Sequence, residues 1–329
     1  MRRFLIKRLL LGLLIVFCGA MVVYTVIRCL PSSYVEVIAR QRASNPTSTK
    51  TYQEWLDQLN QVYNLDVGIV PGFFKWLGNA ITGNFGESWE YGVSVTQKFK
   101  EVIWYSIYLN IIALVVEVIV AIPLGIIAAK KQYGKADYAI TVFALMGISL
   151  PSFFLAALLK YGLSIKLGWF DLVGAVGRYY SQLDPWGQFW DKAWHMVLPS
   201  FVLMMLSIGG LMRYTRTNML EVLNADYIRT ARAKGLPERK VINKHAFRNT
   251  LIPLVTYMSY LLPSMFSGSM ITETMFQIPG IGYISYTAEI KGDIPFAMFY
   301  MVFMLLLTQV SLILADIMYA AVDPRVRIN

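Results

Sequence analysis

The sequence predicts an all-α integral membrane protein of six transmembrane helices, with an ordered outer loop domain between the first and second. Three observations carry this. Hydrophobic residues make up 56% of the 329 and mean hydropathy is +0.50, above the roughly 45–50% apolar content of soluble chains. Six stretches approach the about 20 apolar residues needed to cross about 30 Å of hydrocarbon: Leu9–Ile27, Val102–Ala129, Tyr138–Ile165, Ala193–Met212, Leu251–Thr272 and Phe296–Ala315. Basic residues are also unevenly divided between the connections. With the N-terminus inside, 18 fall on the inner side and four in the two short outer loops. The positive-inside rule then places both termini in the cytoplasm of a multi-pass cell-membrane protein. The net charge of +10 is thereby accounted for without nucleic acid.

Residues 1–30 form the N-terminal anchor. Met1–Arg8 is basic and an apolar run follows, as in a signal peptide. That run exceeds the usual length of about 7–15 residues and has no A-x-A-like site. Phe17 precedes Cys18 where a lipoprotein signal needs a small residue, so the segment reads as uncleaved. Cys18 and Cys29 share this helix and are expected to be buried apolar filler, not a disulfide framework.

Residues 31–98 form the outer loop domain. Ser32–Lys100 carries six basic and six acidic residues. Trp55, Leu56, Leu59, Val62 and Tyr63 recur at helical spacing within Thr51–Leu65. Trp76, Phe85 and Trp89 surround a turn at Gly83-Asn84-Phe85-Gly86, and Ser44–Thr51 is the expected loose tract.

The remaining spans occupy 99–320, followed by a cytoplasmic tail at 321–329. Pro123, Gly125, Pro151, Pro253 and Pro263 suggest helices kinked around a cavity, or ordinary curvature. Glu117, in mid-span, is the candidate for lining a pathway, because intramembrane charge is costly and often functional. Its plainer alternative is a polar contact between packed helices. Glu273 and Asp316 are expected at helix ends, where hydration is cheap, and Lys160 to snorkel outward.

Enzyme chemistry finds few residues to rest on. The sequence has no phosphate-cradling GxxxxGK[ST], no HExxH, no Cys/His cluster and no GxSxG. Its two histidines, His195 and His245, fall on opposite sides of the membrane. The chain reads as non-catalytic, with no cofactor or metal of its own.

The most structured inner loop is 221–250. Asn224 is expected to cap a short helix through Tyr227, Ile228 and Ala231, which Gly235 ends by taking a left-handed conformation. Pro237 opens a second helix through Val241, Ile242 and Phe247, until Pro253 begins the next span. Small residues at Ala231 and Ala233 would let a partner's backbone come close. A merely solvated basic face would explain the charge but not this punctuation.

Arg229-Thr230-Ala231-Arg232-Ala233-Lys234-Gly235, followed by His245-Ala246-Phe247-Arg248-Asn249, resembles the coupling loop of membrane subunits of binding-protein-dependent ABC importers, in the oligopeptide/dipeptide/nickel branch. The general pattern of that family is Glu-Ala-Ala, three residues, then Gly; Arg229 and Thr230 replace its first two positions, as in that branch. Phe85-Gly86-Glu87-Ser88, Ile148–Phe153, Glu273–Gly282 and Asp323–Arg327 resemble further segments of the branch in the same order. The resemblance implies a type I ABC importer-like core over 99–320. Arg229, Thr230, Ala231, Ala233, Gly235, His245, Arg248 and Asn249 would form the ATPase-coupling loop. It implies as partners a second homologous permease subunit, two ABC ATPase subunits that bind the ATP and Mg, and an extracytoplasmic solute-binding protein. The implied cargo is peptide, with nickel complexes, glutathione or oligosaccharide as other substrates of the branch. The competing class is an ion-coupled secondary transporter, for which Glu117 is the only support.

Overall fold

The computed structural model describes residues 2–29, 33–45, 50–62, 66–259 and 269–322. These are helices joined by turns, with one isolated bridge between Glu87 and Ser94. The α-helices are α1 (Arg2–Cys29), α2 (Ser33–Ala43), α3 (Tyr52–Val62), α4 (Ile69–Ile81), α5 (Val95–Lys130), α6 (Lys135–Ser149), α7 (Ser152–Leu159), α8 (Pro185–Leu223), α9 (Asp226–Ala233), α10 (Glu238–Lys240), α11 (Phe247–Ser259), α12 (Met270–Phe276), α13 (Ile281–Ile290) and α14 (Ile294–Val322). Among the described residues, α1, α5, α8 and α14 are each long and apolar enough to cross a membrane. The chain divides into two compact units. One holds Val102–Ile284 and Val310–Asn329; the other holds Arg2–Glu101 and Ser285–Gln309.

In the first unit α8 is the central column. Its apolar residues enter three successive clusters: Met196, Leu198 and Val202 in one; Met204, Ile208, Leu211 and Met212 in the next; Met219 in the third. Helix α5 contributes Leu109, then Ala113 and Ala121, then Ala129 to the same clusters in the same order. The two helices therefore run parallel. Helix α6 runs the other way, since a Cβ on Gly147 would lie 2.3 Å from the Met205 carbonyl oxygen and one on Gly209 would lie 2.4 Å from that of Ala144. Only glycine permits backbones that close, the usual device at membrane helix crossings.

The expected third span, Tyr138–Ile165, is not one helix. It bends by 101° between α6 and the helix that begins at Ser152. Leu150 is extended, at φ −85° and ψ 128°, because the ring of a following proline pushes its predecessor out of the helical region. Helix α7 and the π-helical turn Lys160–Lys166 carry the chain away from the bend, with Leu155 and Ala156 joining the Met196 cluster. Helices α6 and α7 together thus return the chain from the Lys130 end to the Pro185 end. Pro123, Pro199 and Pro253, by contrast, sit inside unbroken helices. The expected fourth span is also longer, as α8 has 39 residues. At 1.5 Å per residue it is about 58 Å long, so it projects beyond the about 30 Å of hydrocarbon. The fifth expected stretch begins in α11; its residues 260–268, with Pro263, lie outside the described residues. So do Tyr63, 46–49 of the expected loose tract, and 323–329 of the tail.

In the second unit α1 and α4 pack against the start of α14. Ala20, Tyr24, Ile27, Phe73, Met298 and Val302 form the cluster. The amphipathic pattern after Thr51 becomes α3, whose buried Leu59 meets Val35 and Ala39 of α2, with Trp55 and Leu56 alongside. Thr51 and Glu54 form a reciprocal capping box: the Thr51 N–H donates to Glu54 Oε2 at 2.7 Å and the Glu54 N–H to Thr51 Oγ1 at 3.3 Å. Asp293, buried, accepts from the Phe296 N–H at 3.2 Å and so caps α14, while its other oxygen accepts from the Ser88 hydroxyl and the Glu90 N–H. Phe85, Phe99, Phe299 and Phe303 pack edge-to-face beside this cap, with Phe299 stacked on Phe303. Cys18 and Cys29 are free thiols on the surface of α1, not buried filler.

Candidate functional site: the helix–glycine–helix loop and the buried carboxylates

Helix α9 is amphipathic over two turns. Ile228 and Ala231 are buried, while Arg229, Thr230 and Ala233 are exposed. Its C-terminus closes in a Schellman motif. The Gly235 N–H donates to Arg232 O at 2.9 Å and the Leu236 N–H to Ala231 O at 3.4 Å. Gly235 takes φ +72°, the left-handed turn this motif needs and glycine enters without strain. Pro237 stands at the N-cap of α10, as expected.

Three expectations for the loop are corrected. Asn224 does not cap α9; its side chain donates to Leu220 O at 2.9 Å and finishes α8. The N-cap of α9 is Ala225, with no side-chain cap bond. The second helix is not a separate short element, because α10 passes through a π-helical turn, Val241–Ala246, directly into α11 and on through Pro253. Ala231 does not offer a gap to a partner. It packs inward on Ala129, Met219, Val241, Ile242 and Ala246, and the exposed small residue is Ala233. His245 is half-buried, Arg248 and Asn249 are exposed, and the Asn249 amide donates to His245 O at 2.8 Å.

Two polar links brace the loop. Arg232 donates from Nε and Nη2, one edge of its guanidinium, to the two oxygens of Glu238, at 3.2 and 2.8 Å, across the glycine turn. The Arg232 hydrogen bonds hold the Glu238 carboxyl below the ordinary glutamate range. Both side chains are over 40% exposed, so the pair contributes at most about 1 kcal/mol. Arg216 of α8 makes a two-point bridge to Asp137 of α6, both bonds 2.7 Å, and Asp137 also accepts from the Tyr133 N–H at 2.9 Å. The sequence signal for this bridge is slight, a lone Asp two residues after the basic run Lys130–Lys135.

Glu117 is buried, with Oε2 accepting from Ser207 of α8 at 2.7 Å and Oε1 without a hydrogen-bond partner among the described residues. Both sequence expectations are thus in play at one carboxylate, a helix–helix contact through one oxygen and an unused acceptor on the other. Glu273 departs from expectation. It is 0% exposed, not hydrated at a helix end. Oε1 accepts from Ser106 Oγ at 2.6 Å and from the Ser269 N–H at 3.1 Å, and Oε2 from the Tyr283 N–H at 2.9 Å. Ser106 Oγ in turn accepts from the Ile281 N–H at 2.7 Å. A Cβ on Gly280 would lie 2.4 Å from the Glu273 Cδ. The spacing Glu273…Gly280-x-Gly282 therefore encodes a carboxylate folded under a glycine turn. Lys160 does not snorkel; it donates to Met275 O at 2.7 Å and lies 5.4 Å from the Phe276 ring, a cation at the end of α12 where carbonyls lack partners. Asp316 lies within α14 rather than at its end. His195 is nearly buried, with Nδ1 2.7 Å from Asp191 O and Nε2 at ion-pair distance, 2.9 Å, from Asp171. Among the described residues no three His, Cys, Asp or Glu side chains converge as metal ligands.

Residues 121–328 match the family described as binding-protein-dependent transport system inner membrane component. The oligopeptide transport system permease protein AppB of Bacillus subtilis is 33% identical over 327 residues, covering 99% of each chain. The dipeptide transport system permease protein DppB of the same organism is 32% identical over 330 residues, 100% of this chain and 99% of that one. Among solved structures, a chain of the MetNI methionine ABC transporter in an inward-facing conformation covers 69% of this chain and 97% of its own, with a TM-score of 0.54 at 15% identity; that likeness shows a shared fold. The chain belongs to the family of inner membrane components of binding-protein-dependent transport systems, which work together with other ABC subunits.

Proposed function

We propose that this chain forms half of the translocation pathway of an ATP-driven peptide importer in the cell membrane, with both termini cytoplasmic. A homologous subunit would form the other half, an extracytoplasmic solute-binding protein would deliver the peptide, and two ATPase subunits would bind ATP and Mg and dock on 221–250. The chain itself would perform no catalysis. Peptide cargo is supported by the names of relatives that align along the whole chain. ATP drives such a machine only by binding one conformational state better than the other. Glu117, with its unused oxygen, is the pathway residue of this scheme.

The observation that carries the docking site is the split face of α9. Its apolar side is spent on this chain's own core, while Arg229, Thr230 and Ala233 face outward beside a fixed glycine turn. No atom lies within 4 Å of a Cβ placed on Gly235, and Asp is among the few residues that enter the left-handed region readily. Gly235→Asp therefore leaves this chain's fold nearly intact and alters mainly what meets the turn. Ala233→Trp does the same on the exposed face. Both are expected to leave the subunit inserted, yet to lose co-purifying ATPase subunits or substrate-stimulated ATP hydrolysis in reconstituted vesicles. Wild-type assembly and stimulation in both variants would reduce the loop to a charged connector. Uptake driven by an ion gradient without any ATPase would favour the secondary-transporter alternative.

A further inference from the structure

Helix α4 differs in kind from the other helices of the loop that follows α1. Between Ile69 and Ile81 its one formal charge is Lys75. Helices α2 and α3 carry Glu36, Arg40, Arg42, Glu54 and Asp57 on their exposed surfaces, as a water-facing hairpin does. Helix α4 has two apolar faces side by side. One packs on the protein: Ile69, Phe73, Trp76 and Leu77 join the cluster of Ala20, Tyr24 and Val302. The other is bare, with Val70 51%, Phe74 55% and Ile81 78% exposed. At about 100° per residue these three fall within about 40° of one another. Lys75 and Asn79 lie on the far side of the helix.

The height of α4 along α1 says what covers the bare face. Arg28, near the C-terminal end of α1, donates to the carbonyl of Val67 just before α4. From there α4 lies across the C-terminal half of α1. Trp76 and Phe73 meet Tyr24, and both Phe73 and Phe74 meet Phe17, with ring centroids 5.5 and 6.4 Å apart. Phe17 is midway along the apolar stretch Ile6–Cys29. The surface of α1 on the same face and one to two turns from this contact, Leu10, Leu13 and Leu14, is itself bare and apolar, as a hydrocarbon-facing surface is. The stripe on α4 continues that surface, so water would meet it only where it meets the flank of a membrane span.

We propose that α4 is a membrane-embedded, non-spanning helix. Its Val70–Phe74–Ile81 stripe lies in lipid acyl chains, within the leaflet that holds the C-terminal half of α1, and Lys75 and Asn79 face the headgroups. The loop after α1 is then two parts with different solvents: a water-exposed α2–α3 hairpin and an α4 dipped into the bilayer.

Nitroxide accessibility on the assembled transporter in phospholipid bilayers tests this. Single cysteines go in at Val70, Phe74, Ile81, Lys75 and Asn79, with Asp57 of α3 as a water-facing control, in a Cys18→Ser/Cys29→Ser background. Labels at 70, 74 and 81 are expected to collide several-fold more with oxygen than with a polar nickel chelate, and labels at 57 and 79 the reverse. Nickel-chelate access at 74 and 81 equal to that at 57 would put the stripe in water. Low access to both reagents there would put it under a protein partner. Either result overturns the proposal. As a check without substitutions, a diazirine-bearing phosphatidylcholine should leave adducts on the peptide 69–81 of the unmodified chain. Adducts on α1 with none on 69–81 would also overturn it.

Discussion

Glu273 offers the sharpest test of how the first unit is held together. The groups that hydrogen-bond its two oxygens, among them Ser106 Oγ, the Ser269 N–H and the Tyr283 N–H, are donors. Glu273→Ala deprives two backbone N–H groups of acceptors, at about 1–2 kcal/mol each for partly buried sites. The space it leaves adds about 1 kcal/mol more, for a total of about 3–5 kcal/mol. Glu273→Gln keeps the shape but turns an amide N–H₂ onto at least one donor, costing about 1–3 kcal/mol. At about 2 °C per kcal/mol for a large domain, the expected falls in Tm are about 6–10 °C for Ala and about 2–6 °C for Gln, read by thermal unfolding in nanodiscs. A double-mutant cycle makes the argument specific. Gly280→Ala places a Cβ 2.4 Å from the Glu273 Cδ, so it should destabilise the wild type strongly and the Glu273→Ala variant much less. A wild-type Tm for Glu273→Gln, or strictly additive effects of Gly280→Ala and Glu273→Ala, would refute the caged-carboxylate account.

Two further outcomes follow from the geometry. Gly147→Ala and Gly209→Ala each drive a Cβ into a facing carbonyl oxygen, so both should lower Tm and folded yield by far more than Gly162→Ala, whose Cβ meets nothing within 4 Å; equal effects at all three positions would remove the close α6–α8 crossing from the explanation. The Glu238 carboxyl is held below its ordinary range by Arg232, so the pair is intact at neutral pH and is lost only as acid carries the carboxyl through that lowered value. A nitroxide at Ala233→Cys should then be immobile at neutral pH and mobile in acid, and mobile at every pH when Glu238→Gln is added; a spectrum insensitive to both would show that the pair does not brace the turn.

What the sequence disclosed and what it hid divide along physical lines. The rough place of the apolar stretches, the glycine turn at 235 and the amphipathic run after Thr51 are local properties, written in composition and short-range periodicity. The fate of each proline was not. Pro151 breaks a span while Pro123, Pro199 and Pro253 do not, so the proline alone does not decide the outcome. The side that a small residue faces was equally hidden. Ala231 and Ala233 look alike as sequence, yet Ile228 and the Met219 cluster draw the first inward. The burial of Glu273 is not legible locally, because its position near a helix end says nothing of Ser106, which is 167 residues away and closes the cage. Gly280 and Gly282 were the available signal, since paired glycines after a lone carboxylate mark a close backbone approach. The same holds for Asp137, whose partner Arg216 lies 79 residues on.

The packing around α9 also bears on how a load on the loop would travel. The cluster under α9 takes Ala129 from α5, Met219 from α8 and Val241, Ile242 and Ala246 from the turn that leads into α11. Thr250 Oγ1 joins α11 to Met219 Sδ at 3.2 Å, and the Asp137–Arg216 bridge adds α6. Force on α9 is therefore borne by the ends of four passes at once, and because a close-packed cluster resists compression, the helices move as bodies before α9 deforms. The nearest tight crossing is that of α5 with α8, where a Cβ on Gly125 would lie 2.7 Å from the Thr215 Cβ. Thr215 is four residues from Met219 but nineteen from Met196, about 6 Å and about 28 Å along the helix. For a rigid α8 tilting about that crossing, a displacement of about 1 Å beside the loop becomes roughly 4–5 Å at the far cluster. A short arm on the α9 side and a long arm on the other would thus turn a small displacement of α9 into a several-fold larger one at the Met196 cluster.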